Sequence, residues 1–377
     1  MQCEVVVVGG GISGALTAYR LTNLGMEVTV VDSREIGKGS TMASTAILSY
    51  EADVNLADLI RKIGERSAVR AYRAGVEAID SIGEIINALD DSCDYRERQS
   101  LYLASTLKDV KMMEREFKTR QKHRLAVEFL QRSDVLSLFS LDAPCAILNR
   151  DAADVNPVKL TLALIRSARK KGLQVFSHTK VKSYGRHGKE CVLTTEDDFQ
   201  IRAKHVVFAT GYESQQFLKQ KEVHLVSSYA IATTPRTQFP SNYDGPVIWE
   251  SARPYLYVRT TVDSRIVAGG EDVDFVDERK RDRLLPSKTR ILERKIRKMF
   301  PHISWELDTA WTGTFAESKD GLPYIGQHKD FPGAYFALGY GGNGITFAAM
   351  ASLIIPDMIS GLKNSDAKLF RFDRKGG

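Results

Sequence analysis

No apolar run in these 377 residues approaches the ~18 that a membrane-crossing helix needs, which excludes a helical span. Cysteine is scarce. Cys3, Cys93, Cys145 and Cys191 stand far apart and form no CxxC pair, so neither a zinc ribbon nor a disulfide framework is expected. The seven histidines show no ligand spacing, and no metal site is expected. The first apolar strand begins within a few residues of Met1, which leaves no room for a signal peptide ahead of it. A cytoplasmic protein is expected. The net charge is +6, with much of the basic excess between Glu278 and Lys298. The spacing of Ile291, Leu292, Ile296 and Met299 predicts an amphipathic helix over Ser287 to Met299 with a solvated basic face. No aromatic residues interleave with those charges, which argues against nucleic acid or a membrane surface as partner.

What the sequence does have begins at Glu4. Val5 to Val8 form a continuous β-branched run, as in a strand of a parallel sheet buried on both faces. Gly9, Gly11 and Gly14 follow at GxGxxG spacing: one glycine for the tight turn, one for backbone approach to a pyrophosphate, one for close packing of helix on strand. A helix from about Ile12 to Gly25 would point its positive end at a diphosphate. Val28 to Val31 predict a second strand. Asp32 ends it, at the distance where a carboxylate accepts hydrogen bonds from an adenosine ribose. This pattern predicts dinucleotide binding without separating FAD from NAD.

Gly37 to Ala46 reads as a small-residue loop whose Ser40, Thr41, Ser44 and Thr45 offer hydroxyl groups to a cofactor. Core helices are expected from Asn55 to Leu89, interrupted at Gly64 and Gly75. Asn156-Pro157 starts a further helix that ends at Lys170-Lys171-Gly172. Strands are expected over Val175 to Tyr184, Cys191 to Thr195, Phe199 to Ala203 and Val206 to Phe208, the last leading into Ala209-Thr210-Gly211-Tyr212. Tyr229 to Gly270 is β-rich and predicts an antiparallel sheet, on one strand of which Tyr255, Tyr257 and Arg259 share a face. Those three could line a polar substrate cavity or face solvent. WTGTFAESKDGLPYIG (Trp311 to Gly326) and ALGYGGNGITF (Ala337 to Phe347) close the chain; the glycines at 339, 341, 342 and 344 allow backbone to pass under a flat ring ahead of a helix N-terminus.

GGGISG with Asp32, GKGSTMAST, ATGY, KDGLPYIG and GYGGNGIT occur in the order found in the D-amino acid oxidase superfamily of flavoproteins. The chain resembles most its glycine oxidase and sarcosine oxidase branch. The resemblance implies an α/β fold, with a discontinuous Rossmann-like FAD-binding domain (1–88, 146–218 and 316–377) and an antiparallel-sheet substrate domain (89–145 and 219–315). It implies FAD contacts at Gly9, Gly11, Ile12, Ser13 and Gly14; Asp32 and Ser33; Ser40, Thr41, Ser44 and Thr45; and Val181. Further contacts are implied at Ala209, Thr210 and Gly211; Gly313; and Gly339, Gly341, Gly342, Asn343, Gly344, Ile345 and Thr346. Tyr255, Tyr257, Arg259 and Phe315 are the residues expected at the substrate.

Two departures from the family pattern matter. Relatives that attach flavin covalently do so through a cysteine near the DG-P-IG motif, and this chain has none beyond Cys191, so FAD is expected to be held non-covalently. Phe315 stands where glycine oxidases carry an arginine for the substrate carboxylate, and Tyr340 and Asn343 lie where relatives often carry histidine. The expected activity is FAD-dependent oxidation of the α-carbon of an amine or amino acid by hydride transfer, with hydrolysis of the imine and with oxygen or a quinone as electron acceptor. The alternatives are a 2-hydroxy acid dehydrogenase of the same superfamily, which needs a base for the hydroxyl proton, and a flavin-binding protein without turnover.

Overall fold

The structure, a computed structural model, describes residues 1–51, 53–237, 239 and 245–374. The chain opens with β1 (Gln2–Val8), α1 (Ile12–Asn23) and β2 (Val28–Val31), then a short α2 (Ser40–Ala43) inside the expected small-residue loop, and β3 (Ile47–Ser49). Next come α3 (Leu56–Ile63), α4 (Glu65–Asn87), β4 (Arg96–Leu103), α5 (Val110–Lys122), β5 (Val127–Gln131), α6 (Arg132–Phe139), β6 (Cys145–Asp154) and α7 (Pro157–Arg169). Gly64 separates α3 from α4 as expected, but Gly75 does not break α4. A Cβ there would lie 2.9 Å from that of Tyr50, so this glycine serves close packing rather than a turn. Asn156 caps α7 through a bond from Lys159 N, with Pro157 in the first turn.

The meander differs from the expected one in two places. The stretch Val175 to Tyr184 divides into β7 (Gln174–Phe176) and β8 (Val181–His187), which pair with different partners, β2 and β9 (Glu190–Thr195). The two expected strands before Ala209 are one, β10 (Gln200–Phe208), because β1 pairs in parallel with it from Gln2 to Val8. After it come β11 (His224–Thr233), β12 (Val247–Glu250), β13 (Leu256–Thr260), β14 (Ile266–Val273), α8 (Glu278–Met299), β15 (Leu307–Glu317), β16 (Tyr324–Gln327), β17 (Ala334–Leu338) and α9 (Gly344–Ile359). Helix α8 begins nine residues before the expected Ser287. Asp277 caps it by accepting from Lys280 N at 2.7 Å, and it continues through Pro286 while Thr289, Leu292 and Ile296 bury one face.

The strands form two sheets. In the first, the order is β16-β17-β10-β1-β2-β7, parallel from β17 to β7, with β9 and β8 added on β10. Apolar residues of α1, α4, α7 and α9 cover one face of it. The second runs β15-β11-β14-β13-β12-β4-β6-β3, with β5 on β6; it is antiparallel except where β12 meets β4. Helix α8 covers one of its faces, packing Leu292 and Ile296 on Tyr229, Ile231, Val258 and Ala268. The expected boundary at 146 puts Ala146 to Asp154 with the cofactor segments, whereas these residues form β6 of the second sheet. Residues 238 and 240–244 of the expected substrate segment, and 375–377 of the last cofactor segment, lie outside the described residues.

Candidate active site

Gly9 takes a φ of +107°, and a Cβ on it would come within 2.5 Å of the Ala209 carbonyl oxygen, so the turn after β1 and the turn after β10 are packed backbone to backbone. A Cβ on Gly14 would overlap the carbonyl of Gly9. That is the close helix-on-strand contact expected from the spacing. At the start of α1, Ile12 N donates to Thr41 Oγ1 at 2.9 Å, which ties α2 to the glycine turn. Asp32 does local work as well: Oδ2 accepts from Gly10 N at 2.6 Å and Oδ1 from Arg34 N at 2.7 Å. An ionised carboxylate has about four acceptor positions, so capacity for ribose hydroxyls remains.

The glycine-rich stretch before α9 is pinned from two sides. Tyr340 and Ser13 hydroxyls lie 2.9 Å apart, joining this stretch to the first turn of α1. On the other side, Gly342 N donates to Asp53 Oδ2 at 2.9 Å and Asn343 Nδ2 to the Glu51 carbonyl at 2.7 Å. Glu51 is in turn held by Arg120, which is fully buried and also bonds Glu116 at 2.7 Å. Glu116 accepts from Leu56 N and Ala57 N at the start of α3. The segment after β3 is therefore a strap anchored on α5.

One cavity of about 910 Å³ runs between these elements and the uncovered face of the second sheet. The first sheet and its loops contribute Gly9, Gly11, Ile12, Ser13, Asp32, Ser33, Ser40, Thr41, Ser44, Thr45, Val181, Ala209, Thr210 and Gly211 to its lining. Gly341, Gly342, Asn343, Gly344 and Ile345 line it further along, and Gly313, Phe315, Tyr255 and Tyr257 line it on the second sheet. Gly14, Gly339, Thr346 and Arg259 are not among the lining residues. Gly14 lies beneath the turn, Gly339 (φ +75°) faces Val223, and Thr346 is fully buried in α9. Arg259 shares the face of Tyr255 and Tyr257 as the alternation predicts, but its guanidinium is taken up by the carbonyls of Thr45 and Thr260 and is not part of the cavity lining.

The Tyr255 and Tyr257 rings stand 5.7 Å apart, and the Arg253 guanidinium lies 4.7 Å over Tyr255. Burial pushes the Tyr257 phenol up to about 12 and Tyr255 well above its ordinary value, so both are O–H donors at neutral pH. Burial also raises the carboxyls of Asp53, Asp272 and Glu317, Asp272 to about 6; the Gly342 N–H and Arg253 offset part of the effect at Asp53. Sequence reading missed Asp53, Glu51, Trp249, Arg253 and Arg281, which also line the cavity. None of them belongs to a motif; the contacts that place Asp53 and Glu51 span nearly the whole chain.

The lining fits a dinucleotide with a flat ring system: a glycine cradle that any Cβ would fill, a carboxylate at the ribose distance, hydroxyl-bearing α2, and a second glycine-rich passage leading into a helix N-terminus. Gly9, Gly11, Ser13 and Thr41 would hold the diphosphate, Asp32 the ribose, and Gly341 to Gly344 the ring. Among the described lining residues there is neither cysteine nor histidine. The comparisons with known proteins agree with this fit. The glycine oxidase of Bacillus licheniformis is 27% identical over 388 residues, covering 99% of this chain and 97% of that protein. Gamma-glutamylputrescine oxidoreductase of Escherichia coli (strain K12) is 25% identical over 382 residues, covering 96% and 84%. The crystal structure of glycine oxidase from Geobacillus kaustophilus has the same fold, with a TM-score of 0.82 at 19% identity over 100% of both chains. The family model described as FAD dependent oxidoreductase (DAO) matches residues 4–358, a stretch that contains both walls of the cavity, and the chain belongs to that family.

Proposed function

We propose that the protein oxidises the α-carbon of an amine or amino acid. The observation that carries this reading is the single cavity that joins the glycine turn and Asp32 to Tyr255, Tyr257 and Phe315, which lets one pocket hold cofactor and substrate together. Bound FAD supplies the two-electron acceptor for a hydride leaving the substrate. The amine loses that hydride from carbon and a proton from nitrogen, and the imine takes up water and breaks into a carbonyl compound and ammonia or a smaller amine. Oxygen or a quinone then receives the electrons. The names of the relatives, which are amine and amino acid oxidoreductases, support the same class.

The protein's own contribution is placement. The Tyr255 and Tyr257 hydroxyls donate, Phe315 and Trp249 supply apolar wall, and the strap at Glu51 and Asp53 fixes the backbone of Gly342 and the side chain of Asn343. A neutral amine expels hydride with the help of its own lone pair. A 2-hydroxy acid needs a base for its hydroxyl proton, and the lining carboxylates Glu51 and Asp53 are engaged by Arg120 and by Gly342 N, which favours the amine. Anaerobic mixing of holoenzyme with panels of amines, amino acids and 2-hydroxy acids tests the reading: amines or amino acids should bleach the flavin absorbance. Bleaching by 2-hydroxy acids alone would overturn it.

A further inference from the structure

Beside the main cavity lies a second one of about 410 Å³, lined by Asn55, Asp58, Arg61 and Lys62 and sharing Asp53 and Arg253 with the first. We propose that this second cavity is an anion subsite, and that the substrate is an amine whose carboxylate sits on a tail remote from the reacting carbon, with Arg253 as the group that receives it. The inference rests on the amine-oxidation reading above and extends it to a substrate class.

The charges divide at Arg253. On the side of the second cavity stand Arg61 and Lys62, and its one further acid, Asp58, is already bridged by Arg61 at 2.8 Å and Arg115 at 2.6 Å. On the side of the main cavity stands Glu51, and the Asp53 carboxyl, although Asp53 lines both cavities, turns to that side by accepting from Gly342 N at 2.9 Å. An amine inside and an anion outside match that polarity, and the reverse orientation opposes it. Arg253 itself is held by its stack on Tyr255 and by one bond, from Nη2 to the Asp53 carbonyl at 3.0 Å. A guanidinium has five N–H donors in a fork suited to carboxylate, so capacity for a ligand remains.

The position of the cation sets the length of the substrate. Phe315 puts an apolar ring on β15, where the family pattern has its carboxylate-binding arginine. Arg253 lines the same cavity from a point three residues before β13. Strands β13 and β15 are separated by β14 and β11, which is three strand spacings or roughly 14 Å. The cation nearest Phe315 is Arg281, whose guanidinium is already taken up by Asp282 Oδ1 and by Thr314 Oγ1, each at 3.0 Å, so a carboxylate on the reacting carbon would have to compete for it. One carried on a spacer reaches the basic side.

The test compares ω-amino acids from aminopropanoate to aminohexanoate with alkylamines of equal length and with glycine, on the holoenzyme. Two quantities are read: kcat/KM from anaerobic flavin bleaching, and Kd from anaerobic calorimetry. The longer ω-amino acids should exceed their carboxylate-free counterparts by about fivefold or more, the worth of a charge contact that is partly solvated. The preference should shrink as salt is raised. R253Q should bring the ratio toward one, chiefly through KM, and K62Q should lower it less. FAD occupancy and melting of each variant establish that it is folded. Equal or better rates for the alkylamines, glycine as best substrate, or equal losses for both series in R253Q would overturn the proposal. If no amine bleaches the flavin, the amine reading fails, and calorimetry still decides this one: tighter binding of aminohexanoate than of hexylamine, lost in R253Q, supports the anion subsite, and equal or absent binding refutes it.

Discussion

Replacing Asp32 by alanine separates two roles that the structure gives one carboxylate. In the folded chain its oxygens accept from Gly10 N at 2.6 Å and Arg34 N at 2.7 Å, so it holds the glycine turn in shape before any cofactor arrives. Hydrogen bonds to a charged group contribute about 1.5 to 3 kcal/mol each. In Asp32→Ala, losing the ribose contact should by itself weaken FAD by that amount, or roughly ten- to a hundredfold in Kd. Losing the two turn bonds should also lower the melting temperature of the apoprotein, chiefly because the N–H of buried Gly10 is left without an acceptor, whereas that of exposed Arg34 can turn to water. Asp32→Asn keeps one acceptor oxygen and turns a donor toward one of those N–H groups, so it should fall between wild type and alanine on both measures. The assay is titration of apoprotein with FAD, followed by the change in flavin fluorescence, beside a melt of each apoprotein. An unchanged Kd in a folded Asp32→Ala protein would refute the reasoning, since it would mean that the ribose is held elsewhere.

Arg120→Met should cost about 3 to 5 kcal/mol in urea denaturation of the holoenzyme, because it leaves Glu51 and Glu116 buried without their shared cation; a loss below about 1 kcal/mol would contradict the strap. Asp272 has a folded pKa pushed up to about 6 by burial, above its unfolded value, so the native state holds the extra proton and stability falls as pH rises through the window from about 4 to 6. Asp272→Asn should therefore be more stable than wild type at pH 8, on the order of 2 kcal/mol after allowance for solvent at the side chain, and the difference should close by pH 4. An equal gap at both pH values would count against it. Acid precipitation should release intact FAD into the supernatant, since Cys3, Cys93, Cys145 and Cys191 are all buried and none lines the cavity; yellow colour left in the pellet would show a covalent link.

The parts of the molecule that could be read from the sequence are those whose causes are local. The valines of β1, the glycines at 9, 11 and 14 and the carboxylate of Asp32 act on one another within about thirty residues, and backbone sterics fix their meaning. Asn156-Pro157 works in the same way. What escaped reading depends on partners far along the chain. Lys204 and His205 look like a break between strands, yet β1 and its register carry β10 through them. Gly75 looks like a helix interruption, but it is there because Tyr50 packs against α4. Alternation puts Arg259 on one face with Tyr255 and Tyr257; nothing in the alternation says that the Thr45 carbonyl, more than two hundred residues away, takes its guanidinium. Asp53 meets Gly342 across 289 positions, so no spacing rule could have paired them.

Most direct among the tests of the central claim is a single-turnover experiment on the holoenzyme without oxygen, using an amine that bleaches the flavin and the same amine with deuterium on its α-carbon. The account predicts one carbonyl product for each flavin reduced and slower bleaching by the deuterated compound, because the bond to that carbon breaks as the flavin takes up its electrons. Flavin that dithionite reduces but no amine or amino acid does, or bleaching without any carbonyl product, would contradict it.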